Sequence, residues 1–127
     1  MSDFDWEEYL TFANALFDHQ QSMGVSIDAV HRNAISRAYY AAHNRAREWY
    51  GKQQLHSTPL HKLPGHDVLI HELNQFGRVG VRMSDYLNDL KSWRNTADYV
   101  ARAPRLTQQT HSLLNKARKI IDLAKEN

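Results

Sequence analysis

The stretch SIDAVHRNAISRAYYAAHNRAREWYG, residues 26–51, decides the fold. Ser26 suits a helix N-cap, Gly51 is a stop signal, and no proline lies between the two. The spacing predicts one helix of about 25 residues, roughly 37 Å long. Two neighbouring faces of it are apolar: Ile27, Ala34, Ala38, Ala41 and Trp49 on one, Ile35, Tyr39, Ala42, Ala46 and Tyr50 on the other. A helix that is apolar on two faces must be covered on more than one side, and its alanines let partner helices approach closely. It therefore reads as the central helix of an all-α protein.

Working outward, the segment from about Asp3 to Met23 repeats Trp6, Leu10, Ala13 and Leu16/Phe17 at helical spacing, with acids in its first turn and Gly24 behind it. On the other side, 51–64 contains Pro59 and Pro64 and reads as a surface loop. A shorter helix over about 65–76 presents Val68, Leu69, Leu73 and Phe76, and Gly77 to Gly80 reads as a turn. A fourth long helix, about 82–102, carries Met83, Tyr86, Leu87, Leu90, Trp93, Ala97 and Val100, with Pro104 as its stop. Thr107 then caps a last helix with Leu113, Leu114, Ala117, Ile120, Ile121 and Ala124 on one side. Four long amphipathic helices with moderate connections predict an up-down antiparallel four-helix bundle with an additional short helix, a single domain over 1–127.

The 127 residues suffice to bury roughly two thirds of the extended surface. With no cysteine, disulfides, cysteine-ligated zinc and thiol nucleophiles are excluded. No apolar run approaches the ~20 residues of a membrane span, and the start of the chain is acidic, so a soluble, cytoplasmic protein that makes no membrane contact is expected. Charge is unevenly divided. Residues 1–30 hold Asp3, Asp5, Glu7, Glu8, Asp18 and Asp28 and no Lys or Arg, whereas the rest holds all 16 bases against eight acids. That is compatible with a nucleic-acid surface, and equally with charge segregated along helices.

Two strings set an arginine inside an apolar helical pattern: Ser36-Arg37-Ala38-Tyr39-Tyr40-Ala41-Ala42 and Trp93-Arg94-Asn95-Thr96-Ala97-Asp98-Tyr99. A guanidinium keeps its charge, so each arginine needs a carboxylate, a route to solvent or an anionic ligand. Asp98 is four residues after Arg94, the spacing of an intrahelical pair, and Arg37 reaches the same network if the two helices are neighbours. The plainer reading is an Arg–Asp–Arg bridge that fixes helix register. Two arginines against one carboxylate also leave a surplus charge that a phosphate can occupy. Tyr40 with Arg37 and Arg47 could hold single-stranded RNA by stacking, or the tyrosine could anchor a helix seam.

These strings, in this order and spacing, resemble the HEPN-domain family, within it the small stand-alone branch with SRxYYA and RNxADY helices. Gly65-His66-Asp67-Val68-Leu69-Ile70 ending in Phe76 is similar to that family's histidine-led short helix, and the likeness runs over about 26–124. The resemblance implies a helical bundle that forms a homodimer. It also implies RNA binding or metal-independent ribonuclease activity in prokaryotic toxin–antitoxin or anti-phage defence modules, often beside a nucleotidyltransferase-type antitoxin partner. Arg94 and Asn95 match the start of the family's R-x4–6-H motif, but positions 99 to 101 are Tyr99, Val100 and Ala101. Histidine suits both proton transfers of 2′-OH attack on phosphate; arginine and tyrosine do not at neutral pH. An RNA-associated or partner-binding component without the standard HEPN nuclease chemistry is therefore expected. The alternatives are an active endoribonuclease using Arg94 and Asn95, with Asp98 or Tyr99 in place of the histidine, and a non-catalytic helical adaptor.

His56, His61, His66 and His71 recur at intervals of five, which does not align imidazoles on one helical face, so no metal and no cofactor is expected. Phosphate-cradling glycine motifs, a nucleophile elbow and paired carboxylates are all absent.

Overall fold

The computed structural model describes residues 3–53 and 65–127. Among them are α1 (Glu7–Asp18), a 3-10 turn (Gln20–Ser22), α2 (Ile27–Gln53), α3 (His66–Leu73), α4 (Gly77–Tyr99) and α5 (Leu106–Glu126), and no strand. The all-α bundle with an extra short helix is therefore as expected. No described helix is long and apolar enough to cross a membrane. The 54–64 part of the expected loop, with His56 and His61, lies outside the described residues.

The helix at 27–53 is central: α1, α4 and α5 all pack on it, and α3 sits mainly on α4. Its register follows from the sequence. Ser26 Oγ accepts from the Ala29 amide at 3.1 Å, the N-cap bond expected of it. Ala34, Ala38, Ala41, Ala42 and Ala46 are fully buried, so backbones come close on both apolar faces. Gly51 does not end the helix, which continues to Gln53. One buried polar knot ties three elements: His31 bonds Thr110 of α5 at 2.6 Å and Gln20 of the 3-10 turn at 2.7 Å.

The fourth helix departs from expectation at both ends. It begins at Gly77, so the Gly77–Gly80 segment is its first turn and not a separate loop. Gly80 is needed there because a Cβ would lie 2.1 Å from the Leu73 carbonyl oxygen at the end of α3. At the other end it stops at Tyr99, before Pro104, because Arg32 of α2 takes its terminal carbonyls. That guanidinium donates to Ala97, Val100 and Ala101 at 3.0, 2.7 and 3.0 Å, and its Nε pairs with Asp28 at 2.7 Å. A cation supplying donors to a helix C-terminus stabilises both the orphan carbonyls and the dipole. Arg32→Ala is expected to cost about 2 kcal/mol, read as a shift in the urea midpoint with an unchanged slope. Arg32→Lys, which cannot span several carbonyls, recovers less than half of that loss.

Thr107 is not the N-cap of α5. Arg105 occupies that position without a side-chain cap bond. Two acids of the N-terminal segment pair with bases of α5 and α2. Glu7 lies 2.9 Å from Arg118 and 2.6 Å from Lys125, and Asp5 lies 3.3 Å from Arg45. The hydrogen bonds from Lys125 and Arg118 pull the Glu7 carboxyl down to about 2. Part of the charge asymmetry of the sequence thus holds the N-terminal segment to α5 and α2.

Candidate functional site

The arginine strings meet where α2, α3 and α4 converge. On α2, residues 36–43 turn through two faces. Tyr39 and His43 are four apart and stack at 5.6 Å, while Arg37 and Tyr40 sit on the margin. From α4, Arg94 comes in almost wholly buried, with its guanidinium 4.9 Å from the Tyr39 ring centre and 5.5 Å from that of Tyr40. Arg37 places its guanidinium 5.2 Å from Tyr40 on the same helix and 4.9 Å from Tyr9 of α1. Tyr40 is therefore flanked by two guanidinium groups, an arrangement cation–π attraction favours.

The expected carboxylate bridge is only partly built. Asp98 approaches Arg94 at 3.7 Å and accepts from the Ser36 hydroxyl at 3.3 Å. Arg37 turns to the rings of Tyr9 and Tyr40. One solvent-accessible carboxylate at long range does not saturate Arg94, whose Nε is buried with no hydrogen-bond partner. Asn95 and Tyr99 are not brought into this cluster: both are exposed, Tyr99 at 76 %.

From α3, His66 closes the cluster. Its Nδ1 is hydrogen-bonded to the Tyr39 hydroxyl. Its ring stacks on His43 with centres 4.1 Å apart and planes 16° apart, and on Tyr39 at 5.4 Å. His43 is the residue that sequence reasoning missed. A polar side chain on an alanine-rich helix carries no strong signal, although its four-residue spacing from Tyr39 was a local clue. Two imidazoles, one from α2 and one from α3, thus stand together beside Arg94 of α4.

The electrostatics are one-sided. Burial pushes the His43 imidazole down to about 3, with His66, Arg47 and Arg94 adding to the effect. His66 is lowered as well, first by burial and then by Arg94, Lys91 and Arg47. Burial raises the Tyr39 hydroxyl to about 12, against the opposing pull of Arg94. At neutral pH both rings are uncharged and the phenol keeps its proton, while Arg37, Arg47, Lys91 and Arg94 supply positive charge. Lys91 is paired with Asp67. Such a corner offers hydrogen-bond donors, positive charge and ring faces, the requirements for holding a phosphate next to a base. No group of three or more potential metal ligands occurs among the described residues.

Comparison with protein-family models, with curated proteins and with solved structures finds no match.

Proposed function

We propose that this bundle binds single-stranded RNA at the α2–α3–α4 corner, as an RNA-associated component of a prokaryotic toxin–antitoxin or anti-phage defence module. The observation that carries it is the flanking of the half-buried Tyr40 ring by the Arg37 and Arg94 guanidinium groups, with the Arg94 Nε left unpartnered. Arginine and tyrosine faces stack unpaired bases, and guanidinium forks hold phosphate. The resemblance of the two arginine strings to the HEPN family points to RNA as the source of that phosphate. The same resemblance brings a homodimer and a nucleotidyltransferase-type antitoxin as protein partners.

A second reading, a metal-independent endoribonuclease using Arg94, is favoured by the two imidazoles stacked beside it. One assay separates these from an adaptor. Wild type and Arg37→Ala are incubated with a labelled single-stranded oligoribonucleotide in EDTA, scoring binding and cleavage together at about 50 and 200 mM salt. Binding without cleavage is the expected result. Arg37→Ala should weaken it about tenfold and reduce the log–log salt slope by about 0.7, the loss of one phosphate contact on a single strand. Cleavage by wild type selects the second reading. Absence of binding, with melting unchanged, leaves the adaptor.

A further inference from the structure

We infer that His66 touches the RNA phosphate beside the arginines, as an Nε2–H donor whose tautomer is set by the Tyr39 hydroxyl. The inference rests on the RNA-binding reading and gives the site its donor. Hydrogens around Tyr39 must balance. Arg94, which lies over the Tyr39 ring, has only N–H groups and cannot accept the hydroxyl hydrogen. The Tyr39 side chain is fully buried, so its own O–H must find an acceptor, and the one beside it is His66 Nδ1. An imidazole that accepts at Nδ1 and is uncharged carries its hydrogen on Nε2. Stacking against His43 and Tyr39 fixes the plane of the ring, which stays partly exposed at the first turn of α3.

The groups facing His66 keep it in that state. From α2 these are Tyr39, Tyr40, His43 and Arg47; from α4 they are Lys91 and Arg94. On its own helix the neighbouring Asp67 is engaged by Lys91. Burial first, and then the cations, lower the His66 imidazole below its ordinary value and so oppose an imidazolium that could act as an acid. With hydrogen on Nε2 there is no lone pair on that nitrogen to take a 2′-OH proton. The site is therefore arranged to hold a phosphodiester and not to cut it.

The test measures oligoribonucleotide affinity and imidazole nitrogen spectra for wild type, His66→Ala, His66→Gln and Tyr39→Phe, with melting temperature as a folding check. Wild type should show a protonated Nε2 and an unprotonated Nδ1. His66→Ala should lose about tenfold in affinity, the worth of a hydrogen bond to a charged acceptor. His66→Gln, which keeps an N–H near the Nε2 position, should recover most of it. Tyr39→Phe should mix the tautomers and weaken binding while leaving the ring packing in place. Wild-type affinity in His66→Ala, hydrogen on Nδ1, or His66-dependent cleavage would each overturn the inference with RNA binding intact. No RNA binding by wild type removes the functional reading and this inference together.

Discussion

Replacing Gly80 with alanine is expected to destabilise the protein by on the order of 3 kcal/mol, a fall in Tm of roughly 10 °C. At an ordinary helix interior the same change stabilises by up to about 1 kcal/mol, so the sign itself is diagnostic. The added Cβ would stand 2.1 Å from the Leu73 carbonyl oxygen and 2.9 Å from the Phe76 Cβ. The first of these is backbone, which cannot swing aside. Relief requires α3 to lift from α4, breaking the 3.1 Å bond from the Ser84 hydroxyl to the Ile70 carbonyl and loosening the helix that carries His66. Gly77 is the control. It has φ of +66° and nothing within 4 Å of an added Cβ, so Gly77→Ala should cost only about 1–2 kcal/mol, for the left-handed backbone. Chemical denaturation of both variants beside wild type decides the matter. Equal losses would show that the α3–α4 approach is not tight.

Acid should begin to destabilise the protein below about pH 6.5, because of a buried imidazole. The His43 imidazole is held at about 3 in the folded state, against an ordinary value of 6.5. The unfolded chain therefore binds more protons at intermediate pH, and stability falls as pH drops below about 6.5. Each unit below that value costs up to about 1.4 kcal/mol from this one group, close to 3 kcal/mol by pH 4.5. His31, lowered mainly by burial, adds in the same direction. The Glu7 contribution occupies a different window: with its carboxyl at about 2, its stabilisation is full above pH 4.5 and is lost only below that. Urea midpoints between about pH 7.5 and 4.5 should thus fall steeply in wild type, and His43→Leu should flatten that fall by more than half. An unchanged slope in the variant would show that His43 is not a buried neutral ring.

How much could be read in advance depended on where the physical cause lay along the chain. The helix at 27–53 was legible because its cap, its two apolar faces and its alanines are local features. The pairing of Arg94 with Asp98 was legible for the same reason, since four-residue spacing is a property of one helix. The ends of α4 were not. Gly77 and Gly80 carry turn chemistry, and only the backbone of α3 shows why a glycine is required inside a helix at residue 80. The far end is set by Arg32, more than sixty residues earlier, so no local signal marks Tyr99 as the last helical residue. The site divides in the same way. Arg37, Tyr40 and Arg94 stood out as charges and rings in apolar patterns, whereas His43 becomes visible only when α3 lays His66 against it. Asn95 and Tyr99 came from the motif and not from the packing, and they lie outside the cluster.

RNA binding at the α2–α3–α4 corner is tested most directly by titrating the isotopically labelled protein with a short single-stranded oligoribonucleotide and following side-chain resonances. Saturable shifts of the Arg37 and Arg94 guanidinium signals, the Tyr40 ring and the His66 imidazole are expected, with the Glu7–Arg118–Lys125 seam unmoved. Shifts confined to the basic face of α5, or no shifts at all, would contradict it.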